Sequence, residues 1–319
     1  EKMKELHPII PLILEYRELS KLLGTYIEPI PKMLDKNSRL HSRFIQTGAA
    51  TGRMASHDPN LQNIPISTER GRAIRQAFLA TSGFKLAAFD YSQIELRIAA
   101  ILSGDKTLIE IFKSGEDVHT SAASLVFGIP KENVTKEMRR KAKVINFGIL
   151  YGMGVNALAA NLGSDRKEAQ EFYNAYFDKF AGLAQYLDNI KRETNERGYT
   201  QTIFGRRRYF EGIKSHIPYI RAGAERMAIN APIQGSSADI IKLAMIKIDE
   251  WIKKEKLDDK VCLLLQIHDE LIFEIEDGLI EKAGAQIKKI METVLTPEQT
   301  KGVPIIVNSA IGLNWGNLE

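Results

Sequence analysis

The sequence contains almost no cysteine. Its single cysteine, Cys262, cannot form an intrachain disulfide, which excludes a disulfide-stapled fold and a cysteine-rich metal site. The start of the chain is charged and lacks the apolar core of a signal peptide, so we expect a protein of the reducing, intracellular (cytoplasmic) compartment. No apolar run reaches the ~18 residues that a membrane-spanning helix needs, and we therefore expect no membrane association.

An excess of charge of either sign is also nearly absent. The 44 Lys and Arg residues exceed the 40 Asp and Glu residues by a formal net charge of +4. This excess is too small to indicate a nucleic-acid partner by itself. Hydrophobic residues make up 44% of the 319 residues and charged residues 26%. Such a composition excludes a disordered or collagen-like chain, and the length allows two or three lobes.

The hydrophobic periodicity predicts an α+β fold, with a small, mostly antiparallel sheet and a large helical insertion. Strands are expected at 84–90 and 304–311 and in a strand–turn–strand unit at 261–275, and a small β-hairpin is expected at 199–210. Residues 105–200 are helical in pattern almost throughout. Further helices are predicted at 6–23, 219–230, 236–254 and 279–294, whereas 37–72 is expected to be extended or looped.

Two aspartates stand where a carboxylate is costly. Asp90 ends an apolar strand, and Asp269 lies in a turn between two apolar strands. Burying a carboxylate is unfavourable unless it is paired or bound to a metal. Position alone fits two interpretations. The residues are either independent turn aspartates, since Asp is common in turns, or a magnesium site, since Mg²⁺ is held by one or two carboxylates plus substrate phosphates.

One predicted helix, which begins near Thr135, carries an unusual stripe of side chains. Arg139, Lys143, Phe147 and Tyr151 fall at i, i+4 spacing and therefore share one gently spiralling face. A basic run on a helix is usually a solvated face, but aromatic rings that continue the stripe are unusual there. The alternative is a nucleotide laid along the helix, with cations on the triphosphate and rings stacked on sugar and base.

Several segments share one resemblance. Three of them are widely spaced along the chain: Asp90-Tyr-Ser-Gln-Ile-Glu-Leu-Arg97, Arg139-Arg-Lys-Ala-Lys-Val-Ile-Asn-Phe-Gly-Ile-Leu-Tyr-Gly152 and His268-Asp-Glu270. In order and spacing they resemble the three catalytic motifs of the family A DNA polymerases, the bacterial DNA polymerase I type. Four further segments resemble that family: Thr51-Gly-Arg53, Asp58-Pro-Asn-Leu-Gln-Asn-Ile-Pro65, Phe204-Gly-Arg-Arg-Arg208 and Gln234-Gly-Ser-Ser-Ala-Asp239.

The resemblance implies an architecture of palm, fingers and thumb. The sheet would be the palm and the helical insertion the fingers, with a remnant of a helical thumb before them. The expected divisions are the end of the thumb and a connector at 1–45, the first part of the palm at 46–116, the fingers at 117–235 and the second part of the palm at 236–319. A monomer is expected.

The resemblance also implies the catalytic residues. Asp90 and Asp269 would bind two Mg²⁺ ions, with the backbone carbonyl of Tyr91 as a further ligand. Glu270 would support that site. Lys143 would contact the triphosphate and donate a proton to the pyrophosphate. Two metal ions of this kind activate a hydroxyl nucleophile and stabilise a leaving group.

The implied nucleotide site draws on three segments. Glu95 would be a steric gate that occupies the space of a ribose 2′-hydroxyl, with Tyr151 as its partner beside the templating base. Phe147 would stack near the sugar and base, and Gln93 would contact the substrate near the primer terminus. The implied contacts with the triphosphate are Arg139, Lys143 and His119.

The implied DNA contacts are mostly amides and cations. Donors in the minor groove check the shape of a base pair without reading sequence, because acceptors lie in similar places there for every pair. Three consecutive arginines would contact phosphates; the alternative is that they only lie on a solvent-exposed hairpin. Ser67 stands where close family members often carry Arg, so one minor-groove cation is expected to be missing. The DNA-binding set is Arg53, Asn60, Gln62, Asn63, Arg206, Arg207, Arg208, Asn230, Gln234 and His268.

The implied function is that of a DNA-directed DNA polymerase acting in replication or repair, with primer–template DNA and deoxynucleoside triphosphates as partners. Two alternatives stay open. A single-subunit RNA polymerase shares similar motifs, but a gate at Glu95 would defeat its function. An inactive, DNA-binding polymerase subunit is the other alternative, and the intact set of Asp90, Asp269, Lys143 and Tyr151 argues against it.

Overall fold

The computed structural model describes residues 6–66 and 68–318. The expectation for Ser67, and the first five residues of the expected thumb segment, lie outside this part of the chain. The strands within it are β1 (Arg43–Ile45), β2 (Ala55–His57), β3 (Phe84–Tyr91), β4 (Tyr199–Gln201), β5 (Arg207–Tyr209), β6 (Val261–Ile267), β7 (Glu270–Glu276) and β8 (Val307–Gly312).

Helices form most of the remaining structure. Those that lie before the sheet or on it are α1 (Ile9–Leu22), α2 (Ile30–Met33), α3 (Glu69–Gln76), α12 (Ile280–Glu292) and α13 (Pro297–Thr300). Those of the long insertion are α4 (Ile94–Ser103), α5 (Lys106–Lys113), α6 (Val118–Phe127), α7 (Lys136–Leu150), α8 (Val155–Leu162), α9 (Arg166–Lys179), α10 (Ala181–Arg197) and α11 (Pro218–Glu255). No helix in the described residues is both long and apolar enough to cross a bilayer.

The main sheet has four strands in the order β6-β7-β3-β8, and every pair is antiparallel. β3 is therefore central, with β7 on one side and β8 on the other. Asp90 stands opposite Glu270 of β7 and opposite Asn308 of β8. The predicted α+β class, with a helical insertion between the first strand and the strand–turn–strand unit, is confirmed.

Both faces of this sheet are covered, which explains why β3 is an apolar run rather than an alternating one. Phe89 and Phe273 of β3 and β7 meet edge-on at 5.9 Å in the larger core, which continues into the helical insertion. On the other face, Leu86 and Ile272 pack in a second cluster with Trp315. Covered on both faces, the sheet holds the end of β3 in a fixed position.

The longest helix corrects one prediction. The sequence predicts separate helices at 219–230 and 236–254, because Pro232 and Gly235 lie between them, but α11 is one helix of 38 residues with Pro232 inside it. A proline inside a helix costs about 3 kcal/mol, because it removes a hydrogen bond and crowds the preceding turn. Nearly every residue from Ala228 to Ala238 is buried, and this packing outweighs the local cost.

The segment 37–72 is more regular than expected. β1 and β2 pair in a small antiparallel sheet of their own, and α3 begins at Glu69. The hydroxyl of Thr68 accepts a hydrogen bond from the Gly71 amide and so caps the start of α3. Three-residue strands are too short to produce a recognisable alternation, which is why the pattern predicts only extended chain. The predicted hairpin at 199–210 is confirmed as β4 and β5.

Candidate active site

The two aspartates meet where three strands end. Asp90 is the penultimate residue of β3, and Asp269 is the second residue of the two-residue turn between β6 and β7. The amide of Tyr91 donates a hydrogen bond of 3.2 Å to the backbone carbonyl of Asp269. This bond continues the ladder that pairs Asp90 with Glu270. The topology therefore brings Asp90 and Asp269, together with Tyr91 and Glu270, to one end of the sheet, which is called the sheet edge below.

Two residues within three positions of the aspartates have left-handed backbone conformations. Gln93 precedes α4 with φ 52°, and His268 is the first turn residue, also with φ 52°. A non-glycine residue at positive φ is uncommon and is concentrated at functional sites. Each conformation occurs where the chain leaves a strand of the central sheet, so the turns that flank Asp90 and Asp269 are tightly shaped.

The carboxylate of Asp269 is held by side chains from two other elements. The Ser237 hydroxyl, on α11, donates a hydrogen bond of 2.7 Å to Oδ1. Nη2 of Arg53 lies 3.8 Å from Oδ2. The nearer partner of Arg53 is Glu95, whose Oε1 accepts a hydrogen bond of 2.9 Å from the same Nη2. Asp269 is therefore positioned by a neutral donor, with a cation nearby.

Asp90 has no salt bridge among the described residues. Protein atoms partly desolvate its carboxyl group and the charge of Asp269 lies close, and together they raise the pKa of Asp90 to about 6. Neither carboxylate is hydrogen-bonded to a cation in the described residues, since Arg53 lies 3.8 Å from Asp269, so the crowded pair fits a divalent metal, and its oxygen donors suit Mg²⁺. The described residues contain no group of three or more acidic, His or Cys side chains arranged to hold a metal.

Glu95 is buried at the start of α4, and both of its oxygens are engaged. Oε1 accepts from Arg53, and Oε2 accepts a hydrogen bond of 3.0 Å from the hydroxyl of Tyr151. Burial raises the pKa of Glu95, an effect that Arg53 and Tyr151 partly oppose. Burial and the negative charge of Glu95 raise the pKa of Tyr151 to about 12. The predicted gate and its predicted partner are thus in direct contact.

The stripe along α7 presents its cations to solvent. The guanidinium of Arg139 forms two hydrogen bonds with Asp117, at 3.0 and 2.8 Å. Burial opposes ionisation of Asp117, but its hydrogen bonds with Arg139 and Thr120 outweigh that effect and hold its pKa at about 2. Lys143 is exposed and has no acidic partner in the described part of the chain. Its charge is therefore free for a phosphate.

The two aromatic residues of the stripe differ in exposure, because Phe147 is half-buried and Tyr151 is exposed. The rings of Phe147 and His119 lie 5.5 Å apart, and the Nδ1 atom of His119 is 2.9 Å from the side-chain amide of Asn146. Burial lowers the pKa of His119 to about 4, and the nearby cations Arg139 and Lys143 add to this. His119 is therefore neutral at pH 7. Tyr151, just beyond the end of α7, remains 47% exposed.

A group of predicted DNA contacts surrounds one small cavity. Arg53, Gln62 and His268 line it together with Lys242 of α11. The side-chain amide of Gln62 donates to the backbone and side-chain oxygens of Gln266, at 3.0 and 3.2 Å. These contacts tie the segment before α3 to β6, so the predicted minor-groove residues of both segments lie side by side.

The other Asn and Gln residues of the predicted DNA-binding set differ in burial and in whether their side chains make hydrogen bonds within the protein. Asn60 caps the short turn that contains Gln62 and Asn63, because its Oδ1 accepts from the Gln62 amide at 3.1 Å. Asn63 is exposed and Gln234 half-buried. Asn230 is buried and donates a hydrogen bond of 3.2 Å to the carbonyl of Leu150, which ties α11 to the end of α7.

The three consecutive arginines have different surroundings. Arg206 donates from Nε to Asp239 at 2.8 Å and from Nη2 to the carbonyls of Thr51 and Gly235, at 2.7 and 3.0 Å. These internal contacts argue against the predicted phosphate contact of Arg206. Arg207 is exposed over the ring of Tyr199, 4.6 Å from its centre, and Arg208 is half-buried over the ring of Phe210, 5.1 Å from its centre.

Comparison with known proteins agrees with this geometry. The sequence model that describes DNA polymerase family A matches residues 1–317 of this chain. The chain belongs to DNA polymerase family A. The thermostable DNA polymerase I of Thermus filiformis is 45% identical over 316 residues, which are 99% of this chain and 37% of that protein. DNA polymerase I of Pseudomonas aeruginosa is 45% identical over 305 residues, 95% of this chain and 33% of that protein.

A solved structure is similar to this family A chain throughout. The POL domain of Pol1 from M. smegmatis, in complex with DNA primer-template and dNTP, matches with a TM-score of 0.91 and 41% identity. The match covers 99% of this chain and 55% of that chain. The chain spans about a third of the length of the curated relatives named above.

Two residues that contact the candidate site residues were not predicted from the sequence. Ser237 contacts Asp269 directly, and Asp117 forms the ion pair with Arg139. Asp117 could have been found from the sequence, because an aspartate that starts a helix is a common N-cap and it lies two residues before His119. Ser237 lies within the segment that resembles the family. The sequence does not show, however, which of the two adjacent serines directs its hydroxyl to a residue outside the helix.

Proposed function

We propose that this chain carries a DNA-directed DNA polymerase activity, in which a primer 3′-hydroxyl attacks a deoxynucleoside triphosphate and pyrophosphate leaves. One observation carries the proposal. Asp90 and Asp269 converge beside the Arg53–Glu95–Tyr151 contacts, at the sheet edge, as the family's motifs imply. The proposal rests on family membership together with this convergence.

Asp90 and Asp269 would hold two Mg²⁺ ions, with the carbonyl of Tyr91 as a further ligand and Glu270 in support. When bound, such ions supply Lewis-acid activation of the hydroxyl and stabilisation of charge on the leaving group. The chain's own contribution is orientation, because the sheet register and the Ser237 hydrogen bond fix where the carboxylates stand.

The nucleotide would lie along α7. Arg139, Lys143 and His119 would contact the triphosphate, and Phe147 and Tyr151 would line the sugar and base. The free charge of Lys143 supports its role as a phosphate ligand and as the proton donor to pyrophosphate. Neutral His119 would donate a single hydrogen bond from its ring N–H to a phosphate oxygen without adding charge. Gln93 would contact the substrate near the primer end.

Glu95 would discriminate against ribonucleotides through its volume. Its side chain is held on both oxygens, so it cannot swing aside without breaking two hydrogen bonds. A fixed obstacle excludes a larger substrate more strictly than a mobile one does. This observation also weighs against the alternative of a single-subunit RNA polymerase.

The DNA interface would combine minor-groove amides and surface cations. Arg207 and Arg208 are the better phosphate ligands of the hairpin, because the groups of Arg206 are committed internally. The complex of the M. smegmatis POL domain with DNA primer-template and dNTP supports DNA and a deoxynucleotide as partners. The minor-groove set would be Arg53, Asn60, Gln62, Asn63, Asn230, Gln234 and His268.

The lobes would divide as the family's architecture implies, with the palm at 46–116 and 236–319, the fingers at 117–235 and the end of a thumb and a connector at 1–45. A monomer acting in replication or repair in the cytoplasm completes the proposal. The low cysteine content supports the compartment.

The test is primer extension by wild type, Asp90→Ala and Asp269→Ala under matched Mg²⁺. We expect each variant to lose nearly all extension while primer–template affinity, measured by fluorescence anisotropy, stays close to wild type. Asp178→Ala, at an exposed position of α9, is the control. Extension by either active-site variant at the wild-type rate would contradict the two-metal assignment. Loss of DNA binding in both variants would show that the two aspartates contribute to DNA affinity rather than to the reaction.

A further inference from the structure

Two adjacent serines of α11 use their buried hydroxyls in different ways. The Ser236 hydroxyl donates a hydrogen bond of 2.6 Å to the carbonyl of Pro232, four residues earlier. A serine inside a helix commonly makes this bond. Ser237 donates instead to Oδ1 of Asp269, on another element. Within the described residues, that hydroxyl has no other hydrogen bond. Ser237 is 1% exposed, so water does not compete for the contact.

The surroundings of Asp269 explain what this hydrogen bond prevents. Oδ2 lies 3.8 Å from Nη2 of Arg53, which is within ion-pair range but beyond a hydrogen bond. Arg53 makes its short contact with Glu95. A carboxylate that was free to rotate would move toward the guanidinium, because opposite charges attract strongly in a partly desolvated site. An Asp269–Arg53 pair would then compete with a metal ion for the same oxygen.

We propose that Ser237 is a positioning residue for metal binding. Its hydroxyl fixes the rotamer of Asp269, keeps Oδ2 apart from Arg53 and presents the carboxylate beside Asp90. The role rests on the proposed function, because it assumes that the two aspartates share divalent cations. Ser237 itself is not a metal ligand, since its hydroxyl proton points to the carboxylate.

The test measures metal affinity without turnover. Mn²⁺, a spectroscopic substitute for Mg²⁺, is titrated into the complex of the chain with primer–template DNA, and free Mn²⁺ is counted by electron paramagnetic resonance. Asp269→Asn sets the background. We expect Ser237→Ala to weaken Mn²⁺ binding about 10-fold, the lower end of what a hydrogen bond to a charged group contributes. Ser237→Cys, with similar volume and a weaker donor, should fall between wild type and Ser237→Ala.

Ser236→Ala is the matched control. Its hydroxyl is equally buried and makes two hydrogen bonds, to the Pro232 carbonyl and from the Ile203 amide, but does not contact Asp269. We expect this variant to lower the melting temperature and to leave Mn²⁺ affinity unchanged. Equal affinity of wild type and Ser237→Ala would overturn the positioning role. So would an equal loss in Ser236→Ala, because the effect would then be structural.

The result can be separated from the proposed function. In primer extension, Ser237→Ala should show a lower kcat with a nearly unchanged KM for the deoxynucleotide, and added Mg²⁺ should recover part of the rate. A wild-type chain that extends no primer would contradict the polymerase proposal, whereas the Mn²⁺ comparison would still report on Ser237. An active wild type with unchanged Mn²⁺ binding in Ser237→Ala would overturn the positioning role alone.

Discussion

The hydroxyl of Tyr151 donates a hydrogen bond of 3.0 Å to Oε2 of Glu95. The two residues lie at the end of α7 and the start of α4, so this contact joins the helix of the proposed triphosphate site to the end of the central strand. Arg53 holds the other oxygen of Glu95. Three separate segments therefore fix one side chain.

Glu95→Ala should relax discrimination against ribonucleotides. Removing the side chain opens the space that a 2′-hydroxyl needs, and we expect the ratio of kcat/KM for deoxy- and ribonucleotide to fall by about 10- to 100-fold. Single-nucleotide insertion opposite one template base measures it. Glu95→Gln keeps the volume and should keep most of the discrimination. If both substrates lose the same factor in Glu95→Ala, the side chain is not the gate.

Phe147→Tyr should narrow the preference for deoxynucleotides over dideoxynucleotides. In the normal substrate the 3′-hydroxyl can help to hold the triphosphate, and a dideoxynucleotide lacks that group. A tyrosine hydroxyl would supply it at nearly the same volume. A hydrogen bond to a charged group contributes about 1.5–3 kcal/mol, so we expect at least a ~10-fold change in the ratio of kcat/KM values. An unchanged ratio would show that Phe147 does not face the sugar.

Asp90→Asn should stabilise the metal-free protein at pH 8 but not at pH 4. The pKa of Asp90 is raised to about 6 in the folded chain, whereas an unfolded Asp titrates near pH 4. Between these values the folded state binds more protons, so this group's contribution to stability falls as pH rises. After solvent screening we expect about 1 kcal/mol at pH 8.

Thermal unfolding in EDTA at both pH values measures this effect. Asp178→Asn, an exposed substitution on α9, is the control and should change stability little. Added Mg²⁺ should stabilise wild type more than Asp90→Asn, because a ligand that binds only the folded state shifts unfolding. A stability difference that does not depend on pH would contradict the assigned pKa.

Arg206→Ala and Arg207→Ala should act on different properties. Arg206→Ala leaves the mostly buried Asp239 without its partner, and we expect the unfolding free energy to fall by about 1–3 kcal/mol in chemical denaturation. Arg207→Ala should leave stability nearly unchanged and reduce the salt dependence of DNA binding by roughly one phosphate contact. Weaker DNA binding in Arg206→Ala without loss of stability would restore its predicted phosphate contact.

The sequence predicted those features that depend on local pattern or on spaced motifs. The apolar run at β3 and the stripe Arg139–Tyr151 needed only periodicity, and the motifs then indicated the family. What could not be predicted depends on contacts between distant segments. Arg206 pairs with Asp239 across 33 residues of chain, and Pro232 continues a helix because its neighbours are buried.

The central place of β3 has a consequence for biosynthesis. Its two neighbours, β7 and β8, follow it by roughly 180 residues or more, so most of the helical insertion must be made before either can pair. Until then both edges of an apolar strand are open to wrong partners. Asp90 emerges from the ribosome about 180 residues before Asp269, so a nascent chain that ends within the helical insertion contains only one of the two proposed metal ligands. The proposed catalytic centre is thus among the last parts of this chain to form.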